Sequence, residues 1–289
     1  MTPRPPAVFQ KPAEPYEPRG RLDPASFDRN VNFQTLAPPP ALEFFLEHLW
    51  IISWEGLEGT YRSAQVMHRP YVDVFVGKES DGIQGTFRGR RIYEAKGTGR
   101  IVGARFKPAA FRCFWPGEMS NLQDAMMPIA SAFPRYDEPY RNAIRAAPET
   151  EAVGLLADLI ATASPKEDAN VLLVNDIIAA VEADEEMATV AGVARAFRHS
   201  ERWLQQLFKD YLGVGLKWFL KRRRLLAAAE RMREEGEVDW AGLAYELGYS
   251  SQQHFITDFR LVVGETPVEY RAGVRRNTRG RPSVSIQRK

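Results

Sequence analysis

The sequence predicts an α+β chain in which a small barrel-like β domain with flanking helices precedes an all-helical domain. Three observations predict this. Residues 41–107 read as mostly strand, with apolar and polar positions alternating over 66–77 and a glycine about every three to eight residues over 82–108. Residues 170 to about 276 carry apolar side chains at three- and four-residue steps, with no strand-like stretch of comparable length. The helical half also contains two similar segments about 51 residues apart. A length of 289 residues fits two domains at roughly 150 residues each.

Ten of the 20 prolines fall in residues 1–40. Proline fixes φ and removes a backbone donor, so this arm is expected to be extended or irregular. FFLEHLWIISW (44–54) is aromatic and β-branched, which suits a strand. In VMHRPYVDVFVG (66–77), Val72, Val74 and Val76 share one face and Asp73 and Phe75 the other. Residues 82–108 read as short strands joined by tight turns. AAFRCFW, MSNLQDAMM, DEPYRNAIRAA and PETEAVGLLADLIATA then take helical spacing. Ser164-Pro165-Lys166-Glu167-Asp168 lacks apolar residues and marks a linker. The expected organisation is an arm (1–40), a β-rich regulatory or dimerisation domain (41–164), a helical domain (165–276) and a basic tail (277–289).

The repeat pairs Leu204 with Phe255, Phe208 with Phe259, Gly213 with Gly264 and Phe219 with Tyr270, all 51 residues apart. Ala194 and Ala244 are 50 apart, so the second copy has one extra residue in its turn. Each copy has helix-turn-helix grammar: a short helix with a small residue, a turn with Ser200 or Ser250 to cap the next helix, and apolar anchors four apart. Gly213 and Gly264 stand where each second helix should stop. The outward face of the first copy offers Ser200, Glu201, Arg202, Trp203, Gln205, Gln206 and Lys209. That of the second offers Ser250, Ser251, Gln252, Gln253, His254, Thr257 and Arg260. Arg, Gln, Ser and Thr reach base edges or phosphates in a major groove of double-stranded DNA.

A helix over 216–235 joins the copies. Twenty residues give a rod of roughly 30 Å, near the ~34 Å between successive major grooves on one face of a duplex. Lys221 and Arg222, in its Lys221-Arg222-Arg223-Arg224 cluster, are expected on phosphate. The formal net charge of +2 conceals two basic blocks. Between Arg195 and Arg224, nine Lys/Arg face only Glu201 and Asp210. From Tyr270 to Lys289 there are seven Lys/Arg and no acid.

These residues resemble the AraC/XylS-type transcription regulators. The resemblance covers about residues 170–276 and is strongest at ELGYSSQQHFITDF and VVGETPVEYR (246–271), through Gly248, Tyr249, Phe255, Phe259, Gly264, Pro267, Tyr270 and Arg271. SERWLQQLFKDYLGVG (200–215) resembles the family's first motif, and RRRLLAAAERM (222–232) its linker helix. The resemblance implies two helix-turn-helix subdomains joined by a long helix, and sequence-specific control of transcription, with RNA polymerase as partner if the protein activates. Gln206 and Thr257 stand where the family often has Arg, which removes a bidentate contact from each helix. RIVGARFKPAAF (100–111) resembles an element of the β-rich sensor domains that precede such motifs.

Other chemistry is not expected. Cys113 is the only cysteine, which excludes an internal disulfide framework and a cysteine zinc finger. His48, His68, His199 and His254 form no metal-ligand pattern, and no cofactor signature occurs. FRCFWPG around Cys113 lacks the flanking residues of an alkyl-acceptor cysteine, so a DNA-repair alkyltransferase is a remote alternative. The N-terminus lacks a signal-peptide apolar region and no run spans a membrane, so a cytoplasmic protein with no membrane partner is expected. Trp50, Trp54, Phe75, Phe87, Tyr93 and Phe106 could line an effector pocket or form a plain core. A small-molecule sensor and a homodimerisation module with no ligand both suit this half.

Overall fold

The structure is a computed structural model that describes residues 30–66, 69–232 and 239–272. Most of the proline-rich arm, His68 and the basic tail lie outside these residues. The described chain divides into two compact units, with the division after Leu220.

The first unit holds one six-stranded antiparallel sheet. Its strands are β1 (Asn32–Leu36), β2 (Leu46–Val66), β3 (Asp73–Gly77), β4 (Asp81–Gln84), β5 (Arg90–Phe106) and β6 (Met126–Met127), in the order β1-β2-β5-β3-β4-β6. The sheet does not close, so the barrel-like expectation is corrected to an open sheet. Register shifts in the β2–β5 ribbon lie between Trp54 and Leu57 and between Leu57 and Tyr61. Such bulges add local twist and bend a ribbon.

The predicted alternation sorts the two faces. Val72, Val74 and Val76, with Leu49, Ile51, Val102, Ala104 and Phe106, enter a continuous apolar core. That core is filled from the other side by Phe111, Phe114, Trp115 and Phe133 and by two helices, α1 (Glu138–Ala146) and α2 (Glu149–Ala161). Phe106 sits edge-on to both Phe111 and Phe114, with ring centroids 4.8 and 5.1 Å away. The opposite face carries Trp50, Asp73, Phe75 and Arg105 and opens on a cavity. AAFRCFW and MSNLQDAMM were expected to be helical. They hold only short 3-10 turns, at Ala110–Cys113 and Met119–Leu122.

The core continues past Ser164-Asp168 into α3 (Ala169–Ala183), α4 (Val190–Phe197) and α5 (Glu201–Leu212). Asp168 caps α3 and also accepts a bond from the Tyr211 hydroxyl of α5. Asn175 of α3 donates to the Pro108 carbonyl at 2.7 Å, and Arg69 pairs with Glu182. The first helix-turn-helix thus packs into the unit that contains the sheet.

Helix α6 (Leu216–Arg231) has 16 residues and is about 24 Å long. The rod expected over 216–235 has its last three residues outside the described part. The second unit adds α7 (Trp240–Glu246) and α8 (Gln252–Val263), whose Phe255, Phe259, Val262 and Val263 are buried.

Candidate nucleic-acid interface

The two motifs share a backbone plan. In the first, Arg198 takes a left-handed φ of 56° and His199 N–H donates to the Ala194 carbonyl at 3.1 Å. In the second, Gly248 takes φ of 75° and Tyr249 N–H donates to the Ala244 carbonyl at 2.9 Å. The turns then diverge. Ser200 Oγ caps α5 by accepting from Trp203 N–H, but Ser251 Oγ caps α8 by accepting from His254 N–H. The cap expected at Ser250 therefore falls one residue later, because the extra residue lies between the left-handed glycine and the cap.

Each second helix buries one side and exposes another. On α5, Leu204, Leu207, Phe208 and Leu212 are buried. Glu201, Arg202, Trp203, Gln206 and Lys209 are exposed. Trp203 stacks on His199, with ring centroids 4.1 Å apart. Gln206 donates to Asp210 at 2.7 Å, one turn along. Gln205 is only half exposed; its Oε1 accepts from Lys217 N–H at the start of α6, so it braces the helix junction. Arg202 and Lys209 are the exposed cations on this face with no ion pair among the described residues.

The outward face of α8 is less cationic. Ser250, Ser251, Gln252, Gln253, His254, Thr257 and Arg260 are exposed. Thr257 Oγ1 donates to the Gln253 carbonyl at 2.9 Å. His254 Nε2 lies 3.3 Å from the largely buried Asp258, which also meets Lys221 Nζ at 2.7 Å. A phosphate would have to compete with that carboxylate for Lys221. Arg222 is 2% exposed. Its expected position on phosphate is corrected: the guanidinium is turned into the protein. Consecutive helix residues point about 100° apart, so a run of basic residues cannot all face one way.

Sequence reasoning missed Arg224, which donates to the Leu247 carbonyl at 2.9 Å and ties α6 to the second turn. It also missed how closely α5 ends against the sheet unit. Gly213 stops α5 at φ of 75°, and a Cβ there would stand 2.5 Å from the Met119 carbonyl oxygen. Gly213→Ala should therefore lower stability by about 2–4 kcal/mol, the sum of a left-handed penalty and an overpacking cost. Urea unfolding checks this; a change under ~1 kcal/mol would refute the close contact.

The sheet face opposite the core holds a cavity of about 450 Å³. Of the six residues expected there, Trp50, Trp54, Phe75 and Tyr93 line it. Phe106 points into the core instead, because Arg105, its neighbour on β5, faces the cavity. Phe87 packs with Tyr71 and is not among the residues that line the cavity. Asp73 and Arg105, not singled out from the sequence, form its floor as a two-point ion pair, with N–O distances of 3.0 and 2.7 Å.

Cys113 is half-buried, and burial pushes its thiol above the usual range. A nucleophilic cysteine needs the opposite shift. Among the described residues no three His, Cys, Asp or Glu side chains come together as a metal site. No described helix is long and apolar enough to cross a membrane.

A helix-turn-helix domain family matches residues 193–273, and a domain of unknown function matches residues 34–128. The chain is 31% identical to PqrA of Proteus vulgaris over 34% of its own length and 83% of the relative's. It is 32% identical to the regulatory protein SoxS of Escherichia coli (strain K12) over 34% of its length and 92% of the relative's. The crystal structure of ToxT from Vibrio cholerae O395 aligns over 84% of this chain and 97% of that chain, at 11% identity and a TM-score of 0.32. The relatives are regulators, not enzymes, and the matched helix-turn-helix family spans the two capped helices described above. The chain belongs to the AraC/XylS family of DNA-binding transcription regulators.

Proposed function

We propose that the protein is a cytoplasmic regulator whose α5 carries most of the base reading and whose α8 mainly fixes position on the duplex. The observation that supports this is the inequality of the two faces. α5 presents Arg202 and Lys209 with no ion pair among the described residues, beside Trp203 and Gln206. α8 presents mainly Gln252, Gln253 and Arg260, with His254 and Lys221 held at Asp258. Arginine reads guanine by two parallel bonds, and glutamine suits adenine. Ser200, Ser251 and the nearby amides of each helix start suit phosphate.

The sheet unit senses a small effector in its cavity. Its volume falls in the range of small-molecule sites. The signal has a short route, because α5 packs into the same core and ends against Met119. An effector that favours one arrangement of that core changes promoter occupancy by its differential affinity. Dimerisation through the sheet unit is the rival reading; it would make stability depend on protein concentration and on no added compound. RNA polymerase is the partner if the regulator activates.

Binding of the full chain to a promoter fragment tests the DNA reading. The logarithm of affinity should fall linearly with that of salt, by about 10³ between 50 and 200 mM if some six phosphates are neutralised. Arg202→Ala should cost about 1–3 kcal/mol and relax discrimination at one base position, whereas Lys209→Ala should weaken all sequences alike. Salt-insensitive binding, or equal effects of both variants on every sequence, would overturn the assignment.

A further inference from the structure

We propose that the sheet cavity takes an uncharged, planar aromatic compound that carries hydrogen-bond acceptors. This deepens, and rests on, the reading of that cavity as an effector site. Three independent features converge on this class.

The first is the shape of the walls. Trp50 lies opposite Gly103 in the β2–β5 register, and Trp54 opposite Gly99. A Cβ on Gly103 would come within 2.2 Å of the Trp50 indole, and one on Gly99 within 2.4 Å of the Trp54 indole. Both rings therefore lie down on bare backbone and line the cavity. Two indoles and the Phe75 ring give broad apolar faces, which suit offset stacking with a flat ring system.

The second is charge. Asp73, Glu94 and Arg105 are the charged residues among those that line the cavity. Asp73 and Arg105 neutralise each other, and Glu94 is met by Arg62 at 2.7 Å. An ionic ligand would lose its hydration and find every opposite charge already taken, which is strongly unfavourable.

The third is the polar atoms left over. Trp50 Nε1 and the Tyr61 hydroxyl are buried and have no hydrogen-bond partner among the described residues. Trp50 itself is 8% exposed. An indole N–H can only donate, and a phenol donates readily. A buried donor without a partner is disfavoured; both residues line the cavity, so an occupant with acceptor oxygens or nitrogens satisfies these donors once either ring shifts to bare its polar atom.

Three coumarin derivatives with one ring and three charges test the proposal by titration calorimetry on the full chain. Coumarin-3-carboxamide should bind at least about tenfold tighter than coumarin-3-carboxylate or the cationic 3-aminomethyl derivative. Tyr61→Phe and Trp50→Phe should each weaken the amide by about tenfold while leaving the circular dichroism spectrum unchanged. If the carboxylate or the ammonium compound binds best, the uncharged class is wrong and the effector reading stands. If neither variant alters the amide's affinity, the acceptor assignment is wrong. If none of the three binds at millimolar concentration, the planar aromatic class falls; the effector reading falls with it only if stability also depends on protein concentration, as a dimerisation module requires.

Discussion

Asp73→Ala should lower the unfolding free energy of the sheet unit by about 3–5 kcal/mol, among the largest effects expected of a single substitution here. Asp73 on β3 lies directly opposite Arg105 on β5. Their side chains are 8% and 9% exposed, and the guanidinium also stacks 3.7 Å from the centroid of the Tyr71 ring. Deleting the carboxylate takes the two-point partner from a buried guanidinium, and much of its desolvation is then uncompensated. The double change Asp73→Leu with Arg105→Met should restore most of the loss, because two apolar groups of similar size need no compensation. Glu94→Ala provides the contrast. Its pair with Arg62 is 54% and 69% exposed, and exposed pairs are worth about 0–1 kcal/mol. Urea unfolding followed by tryptophan fluorescence measures all three. A loss for Asp73→Ala no greater than that for Glu94→Ala would mean the floor of the cavity is wet.

How much of this was legible in the sequence depends on the range of the interaction. Alternation is a local signal, and it sorted Val72, Val74 and Val76 from Asp73 and Phe75 correctly. The repeat is also local in each copy, and its buried anchors Leu204, Phe208, Phe255 and Phe259 emerged in the predicted roles. The cap of α8 was misplaced because Ser250 and Ser251 are adjacent and chemically alike. Only the left-handed φ at Gly248 and the bond from Tyr249 to Ala244 locate the extra residue. The faces of Arg222 and Phe106 were lost for a related reason: composition lists residues, whereas a helix or strand rotates each one to its own side. The Asp73–Arg105 pair joins strands 32 residues apart in sequence, so its discovery required the register itself. The 3-10 turns after β5 have helical spacing but are too short to sustain a helix, which needs several turns to offset its nucleation cost.

His48 should make the sheet unit labile to acid. It lies on β2 opposite Arg105 and is 3% exposed. Burial first, and the charge of Arg105 second, lower its pKa from the ordinary 6.5 to about 3. Between those values the unfolded chain binds a proton that the folded chain refuses. Stability must therefore fall as pH drops below 6.5, by about 1.4 kcal/mol per pH unit and on the order of 5 kcal/mol by pH 3. Glu47 acts in the opposite sense. Burial raises its pKa above the usual 4.5, against the attraction of Arg105 and Arg69 and with the repulsion of Asp73 and Glu182. The folded chain takes up that proton first, so Glu47 returns some stability as pH falls toward 4.5. His48→Asn isolates the histidine, because it keeps a polar side chain and leaves Glu47 in place. The variant's stability should hold level or rise between pH 6.5 and 5 as Glu47 takes up its proton, where the histidine alone costs the natural chain about 2 kcal/mol. Urea midpoints at pH 6.5, 5.7 and 5 measure the difference. Parallel curves would mean that the folded protein holds a protonated imidazole beside Arg105, against its burial and that like charge. At neutral pH, by contrast, His48 is uncharged, so the nearby cavity floor keeps its balanced Asp73–Arg105 pair and the affinity of an uncharged effector should not change between pH 7 and 8.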